Sequence, residues 1–521
     1  MVLYHAVSTF QLLEFILHRI SKEKNRDASI LITTDIVTRY PEYEKMLKPY
    51  FENIFIYENY QTETLLDDED AFNKYFDDIF GDSIDVFNME NIYAACCHAG
   101  FGVYLAKNNI PYVFFEDACG AMSHIEGIQA HVRKGNTFRA ELLERYRLFD
   151  GTGSNVTQRV YNFNANKNVT TNTNDIDFDV AIELGKLSEQ QRENLIKLFV
   201  DIEKIAVNSS CVLFLTEHLY NLKFMTWEEQ CMMYQQIVDY FLSGKQLVFK
   251  THPDDLVYYK RLFPKSKVIR KKFPAELLPY ILDDIPETIA TVSSTSIYGL
   301  LSVAKQVLEF NQEFSYFKAQ YYDLHKYYVA LKYVNELYDN STKVVLAGTN
   351  NKIIHNFMNF CEDIQPFEYE MQERVYEHAQ YGKTIYLVDR TEKITQKYCQ
   401  WLEQLDSNAV VIFLNSDEQY CFYDIRHLQV WNYITPIQIE KVKKREYDVY
   451  SNTENEMIYV YSKKGEIGME KQDKVLENSG IEILTETFCG DKLRIMVLEG
   501  MLKATEKRLL YYMEKCEEGV K

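Results

Sequence analysis

Apolar and polar positions alternate along this chain in two rhythms, short runs of four to six apolar residues and longer stretches with apolar residues three and four apart. Val2–Val7 is a strand candidate, and Thr9–Ser21 places Leu12, Leu13, Ile16, Leu17 and Ile20 on one helical face. Ser29–Thr34 is a second strand, and Asn53–Tyr57, Ser83–Phe87 and Ile110–Phe115 continue the series, with a helix expected over Ile92–Ala106. Strands alternating with helices predict a parallel, doubly wound sheet.

From Gly151 to about Asp179 the composition shifts to Asn, Thr and Asp with little periodicity, which reads as a connection between domains. A second series starts at Cys211–Thr216. It runs through a helix over Thr226–Leu242, with Gly244 as a plausible cap, to strands at Gln246–Phe249, Thr288–Val292 and Gln306–Phe310. Tyr-rich helical material follows over Phe317–Leu337. Beyond Lys383 a third α/β series is expected: strands at Thr384–Asp389, Ala409–Leu414, Met457–Tyr461 and Arg494–Glu499, and a helix over Lys393–Leu405. The expected domains are residues 1–178, 179–345 and 346–521. The fold class is α/β, with two Rossmann-like doubly wound domains facing a cleft plus an appended C-terminal α/β domain. Two such units around a cleft form the arrangement called GT-B in sugar transferases.

With 521 residues, two or three domains are expected. A formal charge of −20 argues against a general nucleic-acid binder, since that binding rests on Lys and Arg neutralising phosphates. One segment runs against the average: Lys260, Arg261, Lys265, Lys267, Arg270, Lys271 and Lys272, either a solvated surface or a site for an anionic acceptor. Ten cysteines without a repeated ligand spacing, two of them adjacent at Cys96–Cys97, suggest neither zinc nor a disulfide framework. A reducing cytoplasm fits, with room for peripheral association at the inner face of the membrane. No apolar run reaches the length of a membrane span.

Three polar strings end apolar runs: Phe114-Phe115-Glu116-Asp117-Ala118-Cys119-Gly120, Lys250-Thr251-His252-Pro253-Asp254-Asp255 and Ser293-Ser294-Thr295-Ser296. Carboxyl ends of parallel strands face the ligand crevice, so the three can converge. A carboxylate at Glu116 or Asp117 can accept a proton from a hydroxyl nucleophile; the alternative is a pair of loop-capping acids. Pro253 stiffens the turn that holds the His252 imidazole, and a protonated imidazole can meet a departing phosphate; the alternative is a helix start with Pro at its first position. The four hydroxyl residues can form an anion site or an ordinary N-cap. Glu276, in Phe273-Pro274-Ala275-Glu276, can hold ribose hydroxyls or start a helix.

Together these strings resemble the bacterial sialyltransferases of the lipooligosaccharide and capsular polysialic acid groups, which carry an acidic Asp/Glu-Asp/Glu-Gly motif, a His-Pro motif and a serine pair, in that order, on a GT-B fold. The counterparts here are Glu116-Asp117, His252-Pro253 and Ser293-Ser294, and the likeness covers roughly residues 1–340. Ala118 stands where the family glycine follows the acids; the nearest glycine is Gly120. The resemblance implies inverting, metal-independent transfer of sialic acid from CMP-sialic acid to an oligosaccharide or polysaccharide acceptor in capsule or lipooligosaccharide synthesis, with no cofactor. It makes Asp117, or Glu116, the base and His252 the group that protonates or steadies the CMP phosphate. Lys250, Pro253, Ser293, Ser294, Thr295 and Ser296 fall on the nucleotide side, and Glu276 at the ribose. CDP-glycerol-dependent glycerophosphotransferases share the His-Pro and serine strings and are the alternative. A non-catalytic sugar-nucleotide-binding assembly protein is a third class.

Overall fold

A computed structural model describes residues 1–200, 204–310, 324–348, 351–372, 382–388, 401, 404–414, 434–439, 457–462 and 481–483. The chain forms two compact units. The first comprises residues 1–224, 245–260 and 265–320, and the second residues 225–244, 261–264 and 321–521.

Two parallel sheets build the first unit. In one, β1 (Val2–Ala6), β2 (Ala28–Thr33), β3 (Asn53–Tyr57), β4 (Asn91–Ala95), β5 (Tyr112–Phe115), β6 (Val156–Tyr161) and β7 (Ile176–Asp177) lie in the order β3-β2-β1-β4-β5-β6-β7. In the other, β8 (Val212–Leu215), β9 (Leu247–Lys250), β10 (Lys267–Ile269), β11 (Thr288–Thr291) and β12 (Gln306–Glu309) lie in the order β10-β9-β8-β11-β12. Both are doubly wound, with the strand order reversing between β1 and β4 and between β8 and β11, where such sheets open a crevice. This is the GT-B-like pair of Rossmann sheets that the alternating runs predict.

Burial on both faces explains why the strands read as continuous apolar runs rather than alternating ones: β1, β2, β5, β8 and β9 are buried at every position. Phe15, Ile16, Phe115 and Phe178 belong to a core that continues through Leu213, Val248 and Ile289 of the second sheet. Tyr57, Phe72, Phe76, Phe101 and Phe114 fill the opposite face of the first sheet.

Three local expectations are corrected. Residues 83–87 are no strand; Val86–Asn88 forms a 3-10 turn capped by Asp85. The helix expected over Ile92–Ala106 divides into β4 and a helix at Gly100–Lys107, because Ile92-Tyr93-Ala94-Ala95 is an apolar run as well suited to a buried strand as to a helix. The Asn-rich connection carries β6 and β7, which extend the first sheet; Arg159 pairs there with Asp175, burying a charge pair inside what composition marks as a loop.

In the second unit, the helix Trp227–Phe241 starts on a capping box between Thr226 and Glu229. Tyr240 stacks on Tyr328 of the helix Leu324–Leu337, with 4.8 Å between ring centroids. A mixed sheet follows. Strands β13 (Lys343–Ala347), β14 (Glu370–Gln372), β15 (Thr384–Val388) and β16 (Val410–Phe413) pair in parallel, and β17 (Ile434–Ile439), β18 (Met457–Ser462) and β19 (Ile481–Ile483) join antiparallel. The expected Lys393–Leu405 helix falls mostly, and the strand at Arg494–Glu499 entirely, outside the described residues. Among the described residues, no helix is long and apolar enough to cross a membrane.

Candidate active site

A cleft of about 410 Å³ in the first unit is walled by residues that follow strands of both sheets. That volume lies in the range of small-molecule sites. From the first sheet come Val7–Phe10 after β1, Asp35 and Arg39 after β2, and Asp117–Cys119 after β5. From the second come Thr216 after β8, Lys250–Asp254 after β9, Phe273–Glu276, and Ser294–Ser296 after β11.

The two acids at the end of β5 have separate fates. The buried Glu116 carboxylate accepts hydrogen bonds from the backbone N–H of Asn162 (2.7 Å) and Gly120 (3.0 Å) and from Asn166 Nδ2 (2.8 Å). It lies outside the cleft wall, and burial pushes its pKa up to about 8 even against those donors. Gly120, at φ +83°, supplies the left-handed turn that returns its N–H to Glu116.

Asp117 lines the cleft. A capping box on the helix Thr9–Ser21 holds it: Ser8 accepts from the Gln11 N–H, and Gln11 Oε1 accepts from the N–H groups of Ser8 (3.1 Å) and Val7 (2.7 Å). With its oxygen engaged, the amide directs Nε2 at Asp117, donating to the backbone oxygen at 2.9 Å and to Oδ1 at 2.7 Å.

Opposite stands His252. The turn after β9 is a tight loop, and the next helix starts only at Tyr259, so the helix-start reading of His-Pro-Asp-Asp does not hold. Thr216 Oγ1 accepts from the His252 N–H at 3.2 Å and donates to Asp255 Oδ2 at 2.6 Å. The Asp254 N–H donates to His252 Nδ1 at 3.1 Å, a bond that assigns the hydrogen of a neutral ring to Nε2. Burial, then His218, Lys250, Arg39 and Lys272, drive the imidazole pKa down to about 3. His252 is therefore neutral in the unliganded protein, a correction to the protonated imidazole of the sequence reading. The positive groups that keep it neutral also make this wall attractive to an anion.

Lys250, buried and lowered to about 8 by desolvation, sits 4.7 Å from the centre of the Phe273 ring. Buried Glu276 rises to about 7, with Lys250 opposing the rise. Pro253, Ser294, Thr295 and Ser296 line the cleft, whereas Ser293 does not; its N–H donates to Glu217 Oε1 at 2.7 Å. Ser294 occupies the N-cap of the short 3-10 helix Thr295–Leu300 without a capping bond from its side chain, so plain capping does not account for it. The basic residues after the His-Pro string are exposed, and several are engaged locally: Lys260 Nζ donates to the Ser266 carbonyl, Lys267 Nζ to that of Ala206, and Arg270 lies over Tyr258.

Sequence reasoning missed Gln11, Arg39, Thr216, Glu217 and His218. The signal for three of them was present: Thr216-Glu217-His218 is a polar string ending the apolar run of β8, by the logic that singled out the other strings. Gln11 and Arg39 reach the site from elsewhere in the chain and leave no such mark.

A family model described as alpha-2,8-polysialyltransferase matches residues 106–304, less than half of the chain but including all three polar strings. An uncharacterised protein of Haemophilus influenzae is 32% identical over 116 residues, 22% of this chain and 37% of the relative; the shared stretch thus spans little more than a third of that protein. The alpha/beta-galactoside alpha-2,3-sialyltransferase of the luminous marine bacterium Photobacterium phosphoreum is similar with a TM-score of 0.38 and 13% identity, covering 71% of this chain and 97% of its own. The UDP-GlcNAc 2-epimerase of Methanocaldococcus jannaschii gives 0.37 and 13%, covering 60% and 90%.

Proposed function

We propose that this chain is a sialyltransferase-type glycosyltransferase that moves sialic acid from CMP-sialic acid to a glycan hydroxyl with inversion and without a required metal. One observation carries the reading: a cleft carboxylate, Asp117, shares one cleft with Lys250, His252 and Ser294–Ser296. The first wall suits a nucleophile that must lose a proton, the second a leaving phosphate. The match to the polysialyltransferase model over Asp117 and the second wall supports the donor assignment.

In this reaction the acceptor hydroxyl oxygen attacks the anomeric carbon while its proton passes to the Asp117 carboxylate. The bond from that carbon to the phosphate oxygen breaks, its electron pair leaves with the phosphate, and CMP departs. Lys250, the Nε2–H of His252 and the hydroxyls of Ser294, Thr295 and Ser296 meet the charge that grows on the phosphate. A bound phosphate adds negative charge beside His252 and raises its proton affinity, so the ring can finish as donor of a hydrogen bond or of the proton itself. In this scheme Glu276, which lines the same cleft, takes the ribose hydroxyls. The donor is cytoplasmic in this scheme.

Thermal unfolding with CMP, CDP, UDP and GDP tests the site, because a ligand at a hundred times its dissociation constant stabilises by about 2.7 kcal/mol. CMP is expected to stabilise and UDP and GDP are not. Transfer from CMP-sialic acid should survive EDTA; complete loss would overturn the mechanism, and CMP release from CDP-glycerol would move the assignment to glycerophosphate transfer.

A further inference from the structure

The turn after β4 brings Cys96 and His98 beside Asp117. Strands β4 and β5 pair in parallel with Ala95 opposite Phe115, so residues just past these two ends are neighbours. Cys96 Sγ lies 3.3 Å from His98 Nε2, and a carboxylate oxygen of Asp117 is within 4.8 Å of both. We propose that Cys96, His98 and Asp117 bind a zinc-type divalent cation, and that the bound ion inhibits the enzyme by occupying the Asp117 carboxylate. The second half rests on the function proposed above; the first does not.

The donor set favours this ion class. A soft thiolate sulfur, an imidazole nitrogen and a hard carboxylate oxygen are the mixed donors that a borderline-soft ion such as zinc takes, and zinc distances of about 2.3 Å to sulfur and 2.0–2.1 Å to nitrogen put two tetrahedral ligands about 3.5 Å apart, close to the sulfur–nitrogen separation here. Three protein ligands leave a fourth position for water, and one of the three, Asp117, lines the cleft. Outer contacts fix two of the three ligands. Gln11 Nε2 donates to Asp117 Oδ1, an Arg139 guanidinium N–H donates to the His98 carbonyl at 2.9 Å, and the His98 ring stacks on Phe149. Loss of outer contacts of this kind typically costs about 10–100-fold in metal affinity. Cys96 also holds φ at +52°, a costly conformation for a residue with a Cβ and one that concentrates at functional sites.

A second trio, His218, His252 and Asp254, is comparably close together. Electrostatics separates the two. Lys250, Arg39 and Lys272 act on His252, Arg39 pairs with Asp254, and His252 Nδ1 already accepts the Asp254 N–H. That wall repels a cation. Burial holds the Cys96 thiol above its usual range, so a bound ion displaces its proton, and the charge beside it is that of Asp117, with Arg139 a smaller opposing influence.

The test uses the full chain, reduced and stripped of metal, titrated with Co²⁺ while near-ultraviolet thiolate-to-cobalt absorption is followed, and with Zn²⁺ by calorimetry. One ion per chain is expected. Cys96→Ser should lose the absorption band, and His98→Ala should weaken Zn²⁺ by at least about tenfold, the scale on which even outer-shell changes act. His218→Ala should bind as the unaltered chain does. Metal-free melting curves of each variant separate lost ligation from lost folding, and His98→Asn replaces His98→Ala if the latter fails to fold. Absence of the band in the unaltered chain, or full affinity in Cys96→Ser, overturns the site. Zn²⁺ should then inhibit sialyl transfer by the unaltered chain and not by His98→Ala. Binding without inhibition overturns the second half, whereas a chain that binds zinc and transfers no sialic acid overturns the proposed function and leaves the site standing.

Discussion

The imidazoles of His218 and His252 lie nearly parallel, 20° between planes and 4.0 Å between centroids, at the ends of adjacent strands β8 and β9. Protonating one disfavours protonating the other, and His218 follows burial among the causes that lower His252. His218→Ala should therefore move the His252 titration upward from about 3, read by nitrogen-15 NMR of the ring, without carrying it to the free value because burial remains. An unmoved titration would remove His218 from the causes and leave burial with Lys250, Arg39 and Lys272.

His252→Ala should lower kcat more than it raises KM, because the contact to the phosphate strengthens as the bond breaks. Steady-state kinetics with CMP-sialic acid varied supplies both constants. A variant with unchanged kcat would reduce His252 to a turn-forming residue.

Asp117→Asn and Glu116→Gln should separate cleanly. The first removes the base and should cost ~10²–10⁴-fold in transfer while CMP still stabilises the protein, since general-base contributions have that size. The second puts an NH2 in place of one buried carboxylate oxygen, where it faces either the Asn162 N–H that meets Oε1 or the Gly120 N–H and Asn166 Nδ2 that meet Oε2. It should lower stability by about 1–3 kcal/mol, the cost of an unsatisfied buried group, and affect transfer less. Unfolding curves and transfer rates on the same preparations decide it; equal effects on both quantities in both variants would refute the division of labour.

Gly299 touches Glu276. A Cβ there would stand 2.8 Å from Glu276 Cγ and Oε1, too close for the buried carboxylate to stay in place. Gly299→Ala should destabilise by about 1–3 kcal/mol, as overpacking does, and weaken CMP. In the double variant with Glu276→Ala the stability losses should fall short of additive while CMP binding stays weak. Additive losses would show that the two side chains do not compete for space.

Stability should be greatest between about pH 4.5 and 6.5. His5, His18 and His252 are each lowered to about 3, so below the unfolded value of 6.5 the unfolded chain binds more protons and falling pH destabilises. Glu116 and Glu276 are raised to about 8 and about 7 and buried Glu14 is also held well above the usual range, so from their unfolded 4.5 upward these three hold more protons in the folded chain and rising pH destabilises, against the three histidines. The two slopes oppose each other between 4.5 and 6.5, leaving a plateau with an alkaline fall through pH 8. Lys250, lowered to about 8, contributes only above that pH. Melting temperatures across pH 4–9 check the profile; stability still rising from pH 6.5 to 8 would contradict it.

Apolar runs of four to six residues were enough to locate most strands of the two Rossmann sheets, because a strand buried on both faces leaves an unbroken local signature. The same rule placed the three polar strings at strand ends, facing the crevice. What failed locally was Ile92–Ala106, where a short apolar run fits a buried strand or helix alike, and Gly151–Asp179, where β6 and β7 owe their pairing to β5 and to the Arg159–Asp175 contact rather than to their own composition. Adjacent acids are indistinguishable in sequence. Only the folded chain decides that Glu116 meets Asn162 and Asn166 while Asp117 meets Gln11 and the cleft, because those partners lie 46, 50 and 106 residues away. The charge state of His252 likewise depends on Arg39, His218 and Lys272, which converge on it from other strand ends. Local pattern sets where a residue can stand, and through-space neighbours set what its side chain can do.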